Sequence, residues 1–515
     1  MSEEVRSSLR TAVRGSALLF ASSAASLVLW FVIKIWIVRN ITQAEFGVYA
    51  LALTVLAVLT VIASLGMIEG VTRQISVVRG GVETGKLHGI VKSAIQIAII
   101  SSLVFAALLY YSSNTLAERV FNMPLLQQPL NIISVVLIAT VFLNILVSIF
   151  RGYSMMRGKA LYDVLVPLIF IILLYIAFTI EHSVIAIIFA YLGAQILVLV
   201  GGSIYADRKL DLRRIMFGRT ETCRKDLLVF SLPLLGAALA SMIMTWTDTL
   251  MIGYFMQAKD VGVYSVGDSL ARLLMFPLSI LGFVFMPIAS ELYARSRMHD
   301  LKRTYQVITK WGVMATFPVF LVLFAFPNMT LGFLFGAQYE VASPVLRILS
   351  VRFMLWLLMG MSGILLTAFG STRVIMWTTL TGAVANITLN YILIPISGIT
   401  GAALSTLISA LVTMLLNLFF IFRTGRIHPF TSHYLKPIAY AVIMAIAIYA
   451  IAKSVPLHFW LLPIYFLLFI AGYLLSILLT HSIEAEDIDM FDAVAAKLGF
   501  DLSPVSRILR KFSHD

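Results

Sequence analysis

Fourteen hydrophobic stretches run almost end to end through this chain of 515 residues. About 20 apolar residues are needed to cross a hydrocarbon core of roughly 30 Å. The stretches lie near 16–38, 46–68, 93–112, 129–150, 161–180, 184–206, 228–255, 264–288, 311–335, 344–369, 374–395, 399–422, 437–453 and 459–480. Peptide groups in lipid have no water to bond, and a segment that spans alone satisfies them as an α-helix. The expected fold is therefore an all-α integral membrane protein of about 14 transmembrane helices. Composition agrees, with 60% hydrophobic and 12% charged residues and a mean hydropathy of +0.97, outside the range of soluble domains. The first stretch lacks a small-residue cleavage site after a short apolar core and reads as a retained helix.

One junction recurs. Gln43-Ala44-Glu45-Phe46-Gly47-Val48-Tyr49 reappears, one residue longer, as Gln257-Ala258-Lys259-Asp260-Val261-Gly262-Val263-Tyr264. Ser183-Val184-Ile185-Ala186 likewise opens the sixth span much as Ser397-Gly398-Ile399-Thr400-Gly401-Ala402 opens the twelfth. The chain reads as a duplication: a six-helix bundle over 1–206, a basic linker at 207–226 and a second six-helix bundle over 227–425. Two further spans over 426–482 and a cytoplasmic tail at 483–515 follow. Both bundles start on the same side, so the repeats are parallel, related by a pseudo-two-fold axis along the membrane normal. Two such bodies suit alternating access about a hydrated cavity in a V-shaped molecule, which makes transport the first function class. In the tail, Ile488, Phe491, Val494, Ala495 and Leu498 fall at helical spacing ahead of Arg507, Arg510 and Lys511. That pattern fits an amphipathic interfacial helix or an ordinary solvated tail.

Lys and Arg accumulate on the cytoplasmic side of membrane proteins. With Arg6, Arg10 and Arg14 inside, 30 of the 38 basic residues fall in cytoplasmic segments. Arg119, Lys259 and Lys453 fall outside, and Lys34, Arg39, Arg272, Arg347 and Arg352 lie within or at the ends of spans. Both termini are then cytoplasmic. The net charge of +13 follows from topology facing an anionic leaflet, and nucleic acid is not implied as a partner. Cys223 is the single cysteine and excludes an internal disulfide.

Several segments carry a family resemblance. They are Ala44-Glu45-Phe46-Gly47-Val48-Tyr49, Ser64-Leu65-Gly66-Met67 with Thr72-Arg73, Trp246-Thr247-Asp248-Thr249-Leu250-Met251-Ile252-Gly253-Tyr254, and Pro395 with Gly398-Ile399-Thr400-Gly401-Ala402-Ala403. Together, over about residues 10–425, they resemble the polysaccharide-flippase branch of the multidrug/oligosaccharidyl-lipid/polysaccharide exporter superfamily. The resemblance implies a cell-membrane flippase that moves a prenol-(di)phosphate-linked oligosaccharide from the cytoplasmic to the outer leaflet for surface polysaccharide or glycoprotein assembly. It implies no enzyme activity and no cofactor, with membrane lipid and glycan-assembly enzymes as partners. Protons, sodium or the membrane potential remain open as the driving force.

Charge in a hydrocarbon region costs at least about 2.5 to 3.5 kcal/mol and therefore faces a bundle interior or a wet cavity. Five cations, Lys34, Arg39, Arg272, Arg347 and Arg352, stand against two clear acids, Asp248 and Asp268. That excess suits a prenyl phosphate, which guanidinium groups can hold through two oxygens at once. Arg272 and Arg352 each lie eight residues into their spans, roughly 12 Å deep at the helical rise. Arg352 is the leading substrate-binding residue; Arg272 and Lys34 follow, although Asp268 is placed to pair with Arg272 at i, i+4. Arg39 and Arg347 sit near span ends, where snorkelling to headgroups is the alternative to binding. Asn386 and Asn390, with Asn144 and Gln195, offer neutral groups for sugar or ties between helices. The offset of 214 that relates Gln43 to Gln257 also relates Lys34 to Asp248. These two, with Asp268, are candidates for gating or ion coupling. The specific expectation is that Lys34 and Asp248 meet across the bundle interface when the outer side closes, and that arriving phosphate competes for Lys34. The alternative has Lys34 snorkelling outward while Asp248 pairs locally or binds a coupling cation.

Pro233, Pro277, Pro318 and Pro327 are placed to kink spans seven to nine. No GxxxxGK[ST] loop occurs, and the Gly-rich stretch Arg79–Lys86 lacks the strand-turn-helix context of a nucleotide site. The eight histidines and one cysteine show no metal-ligand spacing. Two rivals stay open. A cation-coupled multidrug exporter of the same superfamily is disfavoured by the intramembrane cations. An integral-membrane glycosyltransferase or polymerase is disfavoured by short outer loops, of which the longest, about Ser113 to Gln128, holds only Glu118 as an acid.

Overall fold

A computed structural model describes residues 3–80, 84–218, 223–359 and 361–430, with 439, 442–443, 446 and 471–473. All regular structure among the described residues is helical. The chain forms two compact units, Met1–Gly262 and Val263–Asp515.

The first unit opens with α1 (Glu3–Asn40) and α2 (Gln43–Ala63). A capping box starts α2: the Glu45 amide donates to the Thr42 hydroxyl at 3.3 Å, and the Thr42 amide donates to the Glu45 carboxylate at 2.9 Å, satisfying two amides that a helix start leaves without partners. The second hydrophobic stretch reads as one continuous span, but α2 stops at Ala63 because Leu65 and Gly66 turn left-handed, with φ of 49° and 71°. The chain resumes in α3 (Met67–Gly80). Next come α4 (Thr84–Thr115), α5 (Gln127–Gly152), α6 (Met156–Ile180), α7 (Val184–Leu210), the short α8 (Leu212–Phe217) and α9 (Arg224–Phe255). Buried Leu130, Ile133, Val136, Leu137 and Val141 make α5 a central post. Trp30 of α1 packs against Phe170 of α6 and Tyr191 of α7, an aromatic arrangement that adds to simple burial.

Packing divides the chain differently from the sequence repeat. The linker at 207–226 is strapped to α4: Lys92 donates to the Gly218 carbonyl at 2.8 Å, the Cys223 amide to Ser93 at 2.9 Å and Arg224 to Gln96 at 2.8 Å. Helix α9, the first span of the second repeat, packs on α2 and α3 within the first unit. The approach is close at Gly66 and Gly70, where a Cβ would strike the Ser231 backbone and its hydroxyl respectively. Small residues four apart let membrane helices approach this closely.

Helix α10 (Ala258–Ala271) begins in the first unit, where Asp260 caps its start by accepting from the Gln257 amide at 3.1 Å, and continues into the second from Val263. A tight turn of 3-10 helix at Arg272–Leu274 separates it from α11 (Met275–Ala294). Then follow α12 (Met298–Ala325), α13 (Pro327–Phe335), α14 (Ser343–Leu358), α15 (Ser362–Ala368) and α16 (Thr372–Gly425). Pro233 and Pro318 lie inside α9 and α12, whereas Pro327 begins α13 after Phe326, which leaves the helical conformation. Helix α16 folds at Gly398, whose φ of 59° and ψ of −140° suit only glycine. The two arms of α16 correspond to spans eleven and twelve. A core of Phe285, Tyr305, Val313, Leu357, Leu365 and Tyr473 binds this unit.

Ten helical segments among the described residues are long and apolar enough to cross a membrane, α16 counting as one of them. The protein is a multi-pass all-α membrane protein. The last two spans, apart from a few residues, and the amphipathic pattern at 488–511 lie outside the described residues.

Candidate functional site: the repeat junction and the intramembrane charges

The recurring sequence motif is a point of contact. A Cβ on Gly47 would fall on the Ala258 carbonyl, and one on Gly262 would lie 2.5 Å from the Gln43 carbonyl oxygen and 3.0 Å from the Gly47 nitrogen. Each glycine of the repeat therefore receives the backbone of the other copy. The acidic residue of each copy, Glu45 or Asp260, caps the same helix start. The motif recurs because both copies solve one steric problem.

Above this junction the first unit carries Lys34, Arg39 and Asp248. Half-buried Lys34 places its ammonium 5.5 Å from the centre of the Phe46 ring, a favourable setting for a cation. Asp248 is buried at 8% exposure on α9. Arg39 is exposed in the last turn of α1, where a cation complements the helix dipole. The sequence repeat assigns Lys34 and Asp248 to different bundles, whereas packing places both in the first compact unit because α9 joins it.

The second unit holds Asp268, Arg272 and Arg352. Arg272 Nε donates to Asp268 Oδ2 at 2.6 Å across one helical turn. Its side chain remains 39% exposed, against 19% for Asp268, so the guanidinium keeps access beyond its partner. The pair stands at the 3-10 break between α10 and α11, a geometry frequent at hinges. That turn packs against α14, which carries Arg352, and Gly267 meets Val345 of α14 at 3.1 Å from its Cβ position. The structure therefore brings the elements bearing Arg272 and Arg352 together. The Arg352 guanidinium also stacks 4.7 Å from the Phe353 ring centre. Arg347 donates to the Phe324 carbonyl at 3.2 Å.

Asn386 and Asn390 are both buried, at 1% and 0% exposure. Asn386 donates to Thr406 at 3.2 Å and Ser409 at 3.4 Å on the other arm of α16, and Asn390 donates to Asn386 at 3.2 Å. These bonds tie the two arms together, as amides in membranes often do. Asn386→Leu should lower stability by about 1 kcal/mol, read by thermal melting in detergent. Unchanged melting with lost transport would instead assign Asn386 to ligand contact.

Two polar groups, Lys310 and Asp163, escape a sequence reading. Lys310 falls just before the ninth hydrophobic stretch yet is 2% exposed on α12. Asp163 collects Lys159 at 2.5 Å and the hydroxyls of Ser22 and Ser23 at 3.5 and 3.4 Å. Gln195 donates to the Tyr191 hydroxyl at 2.7 Å. Only the i, i+4 spacing of Lys159 with Asp163 and of Tyr191 with Gln195 is a signal visible beforehand.

Comparison with known proteins places this arrangement. Residues 37–344 match the model of the polysaccharide biosynthesis protein family. A membrane protein of Methanocaldococcus jannaschii is 20% identical over 410 residues, 76% of this chain and 80% of that protein. The probable low-salt glycan biosynthesis flippase Agl15 of Haloferax volcanii is 25% identical over 173 residues, 34% of this chain and 37% of its own length. Among solved structures, the lipid II flippase MurJ in an inward closed conformation aligns with a TM-score of 0.71 at 15% identity, over 91% of this chain and 99% of MurJ. An inward-facing multidrug resistance transporter of the MATE family aligns at 0.64 and 15% identity, over 81% and 98%. The fold is that of these multidrug/oligosaccharidyl-lipid/polysaccharide exporters. With more than half of its length matched to the family model, the chain belongs to the polysaccharide biosynthesis protein family.

Proposed function

We propose that the protein flips a prenol-(di)phosphate-linked oligosaccharide from the cytoplasmic to the outer leaflet of the cell membrane by alternating access, with both termini cytoplasmic. The observation that carries this reading is the pair of intramembrane guanidiniums, Arg272 and Arg352, on elements that pack together. Arg352 takes the phosphate, with Arg272, Lys34 and Arg39 supporting it. Asp268 holds Arg272 until phosphate competes for it. Lys34 and Asp248 form a gating pair, and a proton, a sodium ion or the membrane potential drives the cycle. Asn386 and Asn390 hold the sugar-side helices in register.

The test is outer-leaflet appearance of a fluorescent prenyl-diphosphate oligosaccharide in reconstituted vesicles under imposed gradients. Hydrogen bonds to charged groups contribute about 1.5 to 3 kcal/mol, so Arg352→Ala should slow flipping by about 10- to 100-fold. Arg352→Lys should recover little of it, because a point charge lacks the bidentate fork. Normal flipping by Arg352→Ala would remove this residue from the site. Extrusion of cationic dyes without glycolipid flipping would favour the multidrug reading, for which the MATE likeness in fold stands.

A further inference from the structure

Two apolar clefts flank α7 on the outside of the first unit. The first, about 300 Å³, lies among α5, α6 and α7 and is lined wholly by apolar side chains, glycines and two tyrosines. The second, about 160 Å³, lies among α4, α5, α7 and α8 and contains Ser203 as its single polar residue. Leu146 belongs to both linings. It is the wall between them, since a Cβ on Gly202 would sit 2.8 Å from its Cδ2.

The register of α7 explains this arrangement. Ile196, Val200 and Ile204 are exposed and recur every fourth residue, forming one ridge. At 100° per residue, Leu197, Gly201 and Tyr205 of the first cleft lie roughly 60° to 140° to one side of Val200. Leu199 and Ser203 of the second cleft lie roughly 60° to 100° to the other side. The ridge therefore stands between two grooves, and exposed Leu161, Leu165 and Leu197 border the first. Along α6 the first cleft extends from Gly158 to Ile169, roughly 16 Å at the helical rise and about half of a 30 Å hydrocarbon core. That is the depth of one leaflet.

Cations mark the end where the grooves meet the interface. Arg208 is exposed one turn past Tyr205 on the flank of the first cleft. Exposed Arg214 lies on α8, whose Leu212 and Met216 line the second. Lys209 is exposed next to Arg208, and Arg213 pairs with Asp207 at 3.2 Å. We propose that the two clefts seat the two acyl chains of one anionic phospholipid, which straddles α7 with its phosphate among Arg208, Lys209 and Arg214. A single prenyl chain would fill one groove; two grooves around one ridge, each with a cation at its mouth, fit a two-chain lipid. This seat is separate from the glycolipid site proposed above.

Native mass spectrometry of the purified, delipidated full chain tests it, with phosphatidylglycerol, its one-chain lyso form, phosphatidylcholine and a polyprenyl monophosphate in competition. Phosphatidylglycerol should be retained over the other three. Gly201→Phe should fill the first cleft, since no atom lies within 4 Å of its Cβ position, and lower retention about tenfold, to the level of the lyso form. Ser203→Phe should do the same from the other side. Arg208→Gln should weaken retention about fivefold, the value of one cation near an anionic headgroup. If Gly201→Phe fails to fold, Leu197→Trp fills the same cleft. Parity of the lyso form or the polyprenyl phosphate with phosphatidylglycerol in the unaltered protein would overturn the proposal. So would retention that survives filling of both clefts, or a bound polypeptide in place of lipid.

Discussion

Gly47→Ala should prevent the protein from folding, the largest effect expected from one added methyl group. The new Cβ would coincide with the Ala258 carbonyl, and the opposing atoms at Gly262 and Gln43 are also backbone. A side chain can rotate away from an intruder, but a helix backbone cannot, so the cost should exceed the roughly 1 to 3 kcal/mol of ordinary overpacking. Gly262→Ala should fail similarly. Gly85→Ala, whose Cβ meets nothing within 4 Å, is the matched control and should behave as the unaltered protein. Detergent-solubilised yield on size exclusion, followed by thermal melting, measures all three. A Gly47→Ala protein that elutes and melts like Gly85→Ala would show that the two helix starts do not need this contact.

Reversing one member of the proposed gating pair, Lys34 and Asp248, should nearly abolish transport. Each substitution places two like charges at matched positions, and an uncompensated charge near mid-membrane costs about 2.5 to 3.5 kcal/mol, or roughly a hundredfold in rate if carried into the transport cycle. Breaking a buried pair is costlier than exchanging its members, because removal strands the remaining charge. Lys34→Asp and Asp248→Lys should thus be inactive alone and recover in combination. Vesicle flipping by the singles and the double, with disulfide crosslinking of cysteines at both positions, decides it. Absence of both recovery and crosslinks would dismiss the gating pair.

Much of the molecule is written in residue order. Runs of apolar residues long enough for a bilayer dictate helices because lipid offers the peptide group no other partner. The repeated junction announced a duplication, and the four-residue spacing of Asp268 and Arg272 foretold their pair. Hydropathy did not reveal where a span breaks. It treats 46–68 and 264–288 as uniform, whereas the chain turns at Leu65-Gly66 and tightens at Arg272–Leu274. Such breaks depend on what crosses the helix, and at Gly66 the crossing element is Ser231, far along the chain.

What the sequence by itself determined is the helical membrane class, the duplication and the excess of cations within the spans, because these follow from local composition and spacing. Tertiary packing decided the rest. It set Gly47 against Gly262, gathered α9 into the first unit, committed Asn386 to Thr406 and Ser409, and buried Lys310 in α12. It also opened two clefts beside α7. The physical reason is that van der Waals contact and hydrogen bonding act over a few ångströms between residues remote in sequence, whereas hydropathy sums over neighbours along the chain.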